Sequence, residues 1–170
     1  MKMGAIRGSR IIYLYRILAD AATADATGIA FTTENGRTKS RDADTTETKD
    51  GPIRTPGALE SEITTTAIFS SESDVMIGKL EKAVDNSDKV EVWEVNLDKP
   101  GETENEGKFA AKYFQGYVTE FELTSSAEDH AEASLTFGIE GTGADGYATV
   151  SDEQQELAAY AFADTEKTGA

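Results

Sequence analysis

Residues 59–69 read LESEITTTAIF, and the alternation of their side chains between a mainly apolar side and a mainly polar side indicates how this chain folds. Leu59 and Ile63 fall on one side of an extended strand, whereas Glu60 and Glu62 fall on the other. A period of two over this length is typical of a half-buried strand in an antiparallel sheet. The stretch therefore predicts a sheet with one buried face and one polar face.

The same period recurs in two later stretches. Residues 131–140 alternate in the same way, and residues 117–123 place Tyr117 and Phe121 on the side opposite Val118. In residues 89–97 the apolar positions change side, which indicates either a β-bulge or a strand that is covered on both faces, and we favour two covered faces. Residues 108–117 return as the partner of that strand. These patterns predict a mainly β, antiparallel fold.

The segment that precedes the alternating stretch at residues 59–69 is polar and contains two of the three prolines of the chain, Pro52 and Pro56. Proline lacks the N–H group that a central strand needs. We therefore expect residues 39–59 to leave the sheet as a projecting loop that becomes ordered only against a neighbouring subunit. The residues expected to make this inter-subunit contact are Lys49, Asp50, Gly51, Pro52, Ile53, Arg54, Pro56 and Gly57.

The sequence predicts one helix beside the sheet. SESD at residues 71–74 has the form of a capping box, and Met76, Ile77 and Leu80 follow at helical spacing. A second short helix could begin at Ser151, within a C-terminal arm that we define as residues 151–170. A chain of 170 residues suits a single domain, here residues 1–170.

The net charge is distributed unevenly. The whole chain has a formal charge of −16, yet residues 1–41 carry seven bases and three acids, so the remainder is strongly negative. Such a balance argues against a protein that grips nucleic-acid phosphates over a broad basic face. A positive N-terminal segment, residues 1–41, followed by a negative remainder suits head-to-tail self-association of subunits. The alternative is that the uneven charge affects only solubility.

No pattern in the sequence predicts catalysis, a metal site or a cofactor. The chain has no cysteine, and His130 lies beside Asp129 without a nucleophile motif, so it is interpreted as a surface residue. The carboxylates between residues 42 and 50 lack the calcium-loop register, and the glycines of residues 138–143 do not open a helix. Arg16 interrupts the apolar run at residues 11–18, which is therefore interpreted as a strand, and no apolar run is long enough to span a membrane.

Acidic residues recur on the polar sides of three predicted strands, interleaved with Thr and Ser. This pattern is typical either of a hydrated outer face or of a surface that must not bind an anion. The members of this candidate acidic surface are Glu60, Glu62, Glu120, Glu122, Glu132 and Glu140.

Taken together, the order and spacing of several short motifs resemble the phage major tail protein family, the tail-tube proteins of phages with long non-contractile tails. The motifs are IAFTTEN at 29–35, KSRDAD at 39–44, TKDGP at 48–52, TPG at 55–57, VEVWEV at 90–95, YFQGYVT at 113–119 and YAFAD at 160–164.

The resemblance implies an antiparallel β-sandwich with one flanking helix and extended arms. It also implies hexameric rings that stack into a tube, with the loop and arms bridging neighbours and DNA passing through without specific binding. The partners would be other copies and other tail proteins, the subunit would be made in the host cytoplasm, and its place would be the tail of the virion. The acidic residues are then candidates for the wall of the channel, although the sequence leaves open which sheet face points inward.

The alternative function is a β-sandwich module that binds carbohydrate or protein. It predicts a cleft lined by exposed aromatic side chains. Trp93, Tyr113 and Tyr117 instead lie in strand patterns that suit a core or a subunit interface.

Overall fold

The computed structural model describes residues 4–71 and 73–151, in which strands dominate and one α-helix follows the third strand. Short 3₁₀ turns precede and follow the first strand and lie in the loop after the fourth. The elements are β1 Ile11–Ile17, β2 Thr32–Thr48, β3 Gly51–Ile68, α1 Asp74–Asn86, β4 Lys89–Pro100, β5 Lys108–Thr124 and β6 Glu132–Thr149.

The strands form one six-stranded antiparallel sheet in the order β1-β4-β5-β6-β3-β2. β5 and β6 are long enough to serve two layers. Layer A consists of β1, β4 and the parts of β5 and β6 near residues 108–115 and 144–149. Layer B consists of β2, β3 and the other parts of β6 and β5, near residues 132–140 and 116–124. Strands that pass from one layer to the other make the corners of such folds.

Side-chain contacts show that the two layers face each other. The Tyr15 hydroxyl of layer A is hydrogen-bonded to the Thr65 hydroxyl of layer B at 2.6 Å. The rings of Tyr15 and Phe137 stack with their centroids 5.3 Å apart. The predicted antiparallel sandwich is therefore confirmed, and it is built by folding a single continuous sheet over itself.

The helix α1 closes one side of the core between the layers. Met76, Ile77, Leu80 and Ala83 are buried in the same cluster as Ile63 and Phe137, which confirms the predicted helix and its apolar stripe. The N-cap residue Ser73 does not cap the helix through its side chain, because its hydroxyl donates to the Ile68 carbonyl at 3.1 Å. This bond ties the start of α1 to the end of β3.

β4 is covered on both faces, as the sequence predicted. Val90 and Val92 point into the core between the layers, whereas Val95 and Leu97 belong to a second apolar cluster with Leu14. The pairing of β4 with β1 and β5 runs without a register shift from residue 89 to residue 95. The change of side in the sequence therefore reflects burial on two faces and not a bulge.

In β5 the predicted alternation is wrong at one point. The register with β6 shifts between Val118 and Glu120, so Thr119 is an extra residue in the strand. As a result Val118 and Phe121 both face the core, opposite Phe137 and Leu135. Tyr117, expected on the buried side, is 38% exposed.

The expectation of a loop at residues 39–59 is also wrong. β2 and β3 pair continuously to a tight turn at Lys49 and Asp50, apart from one bulge at Asp42. A Cβ atom added at Gly57 would lie 3.1 Å from the Asp42 carbonyl oxygen, which is a tight contact, so glycine suits the position opposite the bulge. We call this two-stranded segment, residues 39–59, the ribbon.

The ribbon does leave the sheet, as proline chemistry predicted. β6 pairs with β3 only from Glu62 onward, so Pro52 and Pro56 lie where β3 has one partner strand and an open edge. A missing N–H is tolerated at such an edge. Contact of the ribbon with a neighbouring subunit stays a prediction.

Two further expectations concern the C-terminal arm and membrane-spanning segments. The C-terminal arm, residues 151–170, lies outside them except for Ser151. Within the part of the chain that the structure describes, no helix has the length and apolar character needed to cross a membrane.

Candidate functional site

The glutamates singled out in the sequence lie on one surface, the outward face of layer B. Glu62 of β3 is opposite Gly138 of β6, and Glu120 and Glu122 of β5 are opposite Thr136 and Ser134. All three register positions alternate with residues of the buried core, so these side chains point away from it. The full candidate set on this face is Glu60, Glu62, Glu120, Glu122, Glu132 and Glu140, and every one is exposed.

A seventh carboxylate, missed in the sequence, joins this surface. Glu34 of β2 lies opposite Thr66 of β3 and is exposed. The register of β2 shifts between Thr32 and Glu34. Because this bulge interrupts the period of two, the sequence pattern does not predict the face on which Glu34 lies. We call the seven glutamates together the acidic face.

The acidic face carries little compensating positive charge. Lys89 of β4 binds Glu140 at 2.7 Å, and this hydrogen bond raises the pKa of the lysine. Among the described residues, the other six glutamates of the face make no salt bridge. The side chains between them are small and polar, including Thr64, Ser134 and Thr136. The surface is therefore mostly negative, and it also includes the exposed ring of Tyr117, which lies opposite Gly138 with the Lys89 ammonium 5.9 Å from its centre.

A partly buried ion pair holds layer B against layer A beneath this surface. Arg37 of β2 donates to Glu94 of β4 at 2.6 Å, and the Tyr13 hydroxyl donates to the same carboxylate at 2.6 Å. The guanidinium also lies 5.6 Å from the centre of the Phe114 ring. Burial opposes ionisation of Glu94, yet the bonds from Arg37 and Tyr13 hold its pKa below the ordinary value. The base of the ribbon is thus anchored across the sandwich.

This ion pair yields a prediction for stability. Glu94→Gln should lower the free energy of unfolding at pH 7 by about 2 kcal/mol, because it leaves the Arg37 charge without its partner. The folded pKa of Glu94 lies below the ordinary 4.5, so its contribution is complete above that pH and is lost as pH falls through the folded pKa. The difference in the free energy of unfolding between the wild type and the Glu94→Gln variant should therefore become smaller as the pH falls.

Urea unfolding of both proteins between pH 7 and pH 3 measures this effect. Glu81→Gln, on the exposed side of α1, is the matched control and should leave the free energy of unfolding unchanged within about 0.5 kcal/mol. Equal stability of the Glu94→Gln variant and the wild type at pH 7 would contradict the assignment.

A second polar network lies on the outward face of layer A. Glu91 is only 4% exposed, accepts a bond from Arg16 at 2.8 Å and is also bound by the Tyr113 hydroxyl. Arg16 additionally donates to the Ala24 carbonyl at 3.2 Å and lies over the Trp93 ring. Because every charge in it is paired, this network fixes the segment after β1 against the sheet and leaves no free acid or base for catalysis.

The other residues weighed in the sequence do not form a chemical site. His130 is exposed just before β6, as expected for a surface residue. Asp42, Asp44, Glu47 and Asp50 are spread along the ribbon and its turn. Over the described residues, no group of three or more His, Cys, Asp or Glu side chains is placed to hold a metal ion.

The aromatic residues bear on the alternative of a binding module. The rings of Trp93 and Tyr113 are 5.0 Å apart, and together with Tyr147 they line a recess of about 100 Å³. Sites for small organic ligands usually enclose about 300 Å³ or more. The recess is too small to favour a carbohydrate site.

Known proteins resemble this chain in both sequence and fold. A tail protein of Staphylococcus phage phiMR25 is 36% identical over 149 residues, which cover 86% of this chain and 77% of the relative. The SPP1 tail tube, solved by solid-state NMR and cryo-EM, superposes with a TM-score of 0.73 at 20% identity, over 90% of this chain and 85% of that one.

The fold extends to a more distant particle. The tail of an empty gene transfer agent particle, refined with C6 symmetry, superposes with a TM-score of 0.57 at 13% identity, over 85% of this chain and all of that one. At these identities the two structural matches show the fold alone. A family model described as phage tail tube protein matches residues 5–145, most of the chain. The chain therefore belongs to the phage tail tube protein family, and it is a structural tube subunit of a phage tail.

Proposed function

We propose that this subunit assembles into hexameric rings that stack into a tube, with the acidic face lining the channel through which DNA leaves the virion. The observation that carries the proposal is the concentration of seven glutamates and a single bound lysine on one face of layer B. The tail tube family and the C6 symmetry used for the gene transfer agent tail support six-fold rings.

Layer B has open strand edges through which neighbouring subunits could pair side by side. In the described chain, β2 has no partner on the side away from β3, and β5 beyond Tyr117 pairs with β6 alone. Open edges of this kind pair readily with another chain. If β2 of one copy pairs with β5 of the next, layer B continues from subunit to subunit and closes into a barrel around the axis. The acidic face then becomes the inner wall.

An acidic wall suits the passage of DNA. Duplex DNA carries about one negative charge per 1.7 Å of its axis, and a basic channel would retain it by counterion release. At physiological salt the repulsion acts over a Debye length of about 8 Å. The wall therefore repels DNA only at close approach, which prevents adhesion without blocking the channel.

The ribbon supplies contacts between subunits. Its side chains are exposed, and Ile53 near the tip is 55% exposed. An isolated two-stranded hairpin is marginally stable in water, so a neighbour that covers it would gain from the contact. The C-terminal arm, residues 151–170, is a second candidate for bridging on the resemblance of its YAFAD motif.

The subunit acts by assembly and not by catalysis. It is made in the host cytoplasm, becomes part of the virion tail and contacts other tail proteins at the two ends of the tube. DNA is a transient occupant of the channel and no membrane is involved.

Electron microscopy of the purified protein tests the proposal directly. We expect rings or filaments of uniform bore, with six-fold symmetry in end-on class averages. They should form at protein concentrations high enough for the monomer to assemble. A stable monomer at high concentration, also in the presence of preformed tail ends as nuclei, would overturn the proposed assembly.

A further inference from the structure

Phe31, the residue immediately before β2, is held in an unfavourable backbone conformation. Its φ of 58° lies in the left-handed region, which a bulky side chain rarely adopts. The Thr32 hydroxyl donates to the Ile29 carbonyl at 2.8 Å, and the Ile68 N–H donates to the Phe31 carbonyl at 3.0 Å. These two bonds fix the turn in which Phe31 lies. Backbone strain that a structure maintains in this way is typical of functional positions.

The side chain of Phe31 is also unfavourable in an isolated subunit. It is 56% exposed, so its ring gains only part of the hydrophobic stabilisation that burial would give. Glycine or asparagine would adopt the same backbone conformation more readily. The isolated subunit therefore has no use for a phenylalanine here, whereas a partner that buries the ring would give the residue a role.

A second exposed apolar side chain lies at the same end of layer B, on the other open edge. Leu123 of β5 is 51% exposed. One row of the ladder connects the two edges through Thr32, Ala67, Ala133 and Leu123. Three strand spacings of about 4.8 Å, roughly 14 Å in all, separate the ends of this row, so Phe31 and Leu123 of one copy do not meet.

The geometry of a ring brings the two edges together. Rotation about the ring axis places the β2 edge of one copy beside the β5 edge of the next and keeps the two ends of the layer in place. The start of β2 then meets the end of β5, where Phe31 and Leu123 lie. Leu123 is opposite Ala133, which belongs to the buried core. Its side chain is therefore on the side of layer B away from the acidic face.

We propose that Phe31 of one copy packs against Leu123 of the next copy in the same ring, as an apolar contact between neighbouring subunits. The inference rests on the proposed function, which joins β2 to β5, and adds the side chains that hold this joint. Burial of both side chains removes apolar surface from water. The two surfaces differ, so the contact repeats around the ring and ends when the ring closes.

Substitution of Phe31 separates its role in assembly from its role in the fold. Phe31→Asn keeps a residue that tolerates the left-handed conformation but removes the ring. Its melting temperature should stay within about 4 °C of the wild type, whereas sedimentable tubes should fall by about tenfold or more. Leu123→Asn should cause the same loss of tubes, and Phe31→Leu, which stays apolar, should retain most of them. Tyr147→Asn removes a similarly exposed aromatic side chain from layer A and is the matched control, which should assemble at the wild-type yield.

Cysteine cross-linking tests the same contact with both apolar side chains in place, since the natural chain contains no cysteine. Thr33→Cys and Thr124→Cys put thiols at exposed positions beside Phe31 and Leu123. Tubes of this variant would be treated with a bismaleimide whose reach is shorter than the roughly 14 Å between the two edges of one copy. A denaturing gel should show a ladder that ends at six chains, because the sixth chain closes the ring.

The matched control for cross-linking combines Thr124→Cys with Thr38→Cys. Thr38 is exposed on the same strand as Thr33 but lies roughly 16 Å further along it, at about 3.3 Å per residue. This pair, and each single-cysteine variant, should remain monomeric on the gel.

The outcomes separate this contact from the proposed function. If wild-type protein forms no tubes under any nucleating condition, the proposed function fails. If tubes form but Thr33→Cys with Thr124→Cys gives no ladder, or if Phe31→Asn assembles at the wild-type yield, the contact is wrong and the proposed function stands. A ladder that continues without limit would place the contact between rings and would also overturn it.

Discussion

A subunit whose ribbon is shortened should fold normally and fail to form tubes. The variant replaces residues 43–56 with Asn-Gly, a sequence that favours two-residue hairpin turns. The ends to be joined are already close, since the Asp42 carbonyl oxygen lies against Gly57 across the ribbon. Because the removed side chains are exposed and outside the core, the free energy of unfolding should change by only about 0.5 kcal/mol.

Sedimentation and electron microscopy measure the assembly of this variant, and thermal unfolding followed by circular dichroism measures its folding. A second variant with a Gly/Ser segment of the original length keeps the spacing but not the side chains, and it should also fail. If the shortened subunit forms tubes at the wild-type yield, the ribbon has no role in assembly.

Reversing charge on the acidic face should leave the tails assembled and slow the exit of DNA. Glu60→Lys, Glu62→Lys and Glu120→Lys place cations on β3 and β5, the two strands that flank β6 in layer B, with side chains that point away from the core. Lysines that neutralise phosphates retain DNA by counterion release. We expect ejection to be slower by about tenfold or more at low salt, with most of the delay lost near about 0.5 M salt, where screening is stronger.

DNA ejection from phage that carry these substitutions can be triggered in vitro, and the release of DNA can be followed with an intercalating dye. The control carries Glu81→Lys, Asp85→Lys and Glu104→Lys, which make the same change of net charge at exposed positions on α1 and in the loop before β5. Intact tails that eject at the wild-type rate, or a control that is delayed equally, would show that the acidic face does not line the channel.

Local patterns in the sequence were sufficient for the class of fold and for most of its individual elements. The period of two in residues 59–69 and 131–140 predicted β3 and β6, and the spacing of Met76, Ile77 and Leu80 predicted α1. These predictions hold because burial of one face is a property of neighbouring residues along a strand or helix. The two-sided burial of β4 was predicted in the same way.

Predictions failed where the pairing of strands changes the local rule. The extra residue Thr119 reverses the alternation of β5, and the bulge before Glu34 hid one member of the acidic face. A bulge is defined by the register between two strands, and neither strand carries that register in its own sequence. The ribbon was missed for a related reason, since prolines exclude a central strand but not one with an open edge.

The sequence by itself determined the class of fold, the helix, the departure of residues 39–59 from the sheet and the alternation that places glutamates on the polar side of β3, β5 and β6. Only the tertiary structure brought the glutamates of β2, β3, β5 and β6 onto one surface and paired β2 with β3 along the whole ribbon. The physical reason is that side-chain alternation is a local consequence of backbone geometry, whereas strand order and register depend on which distant segments pair.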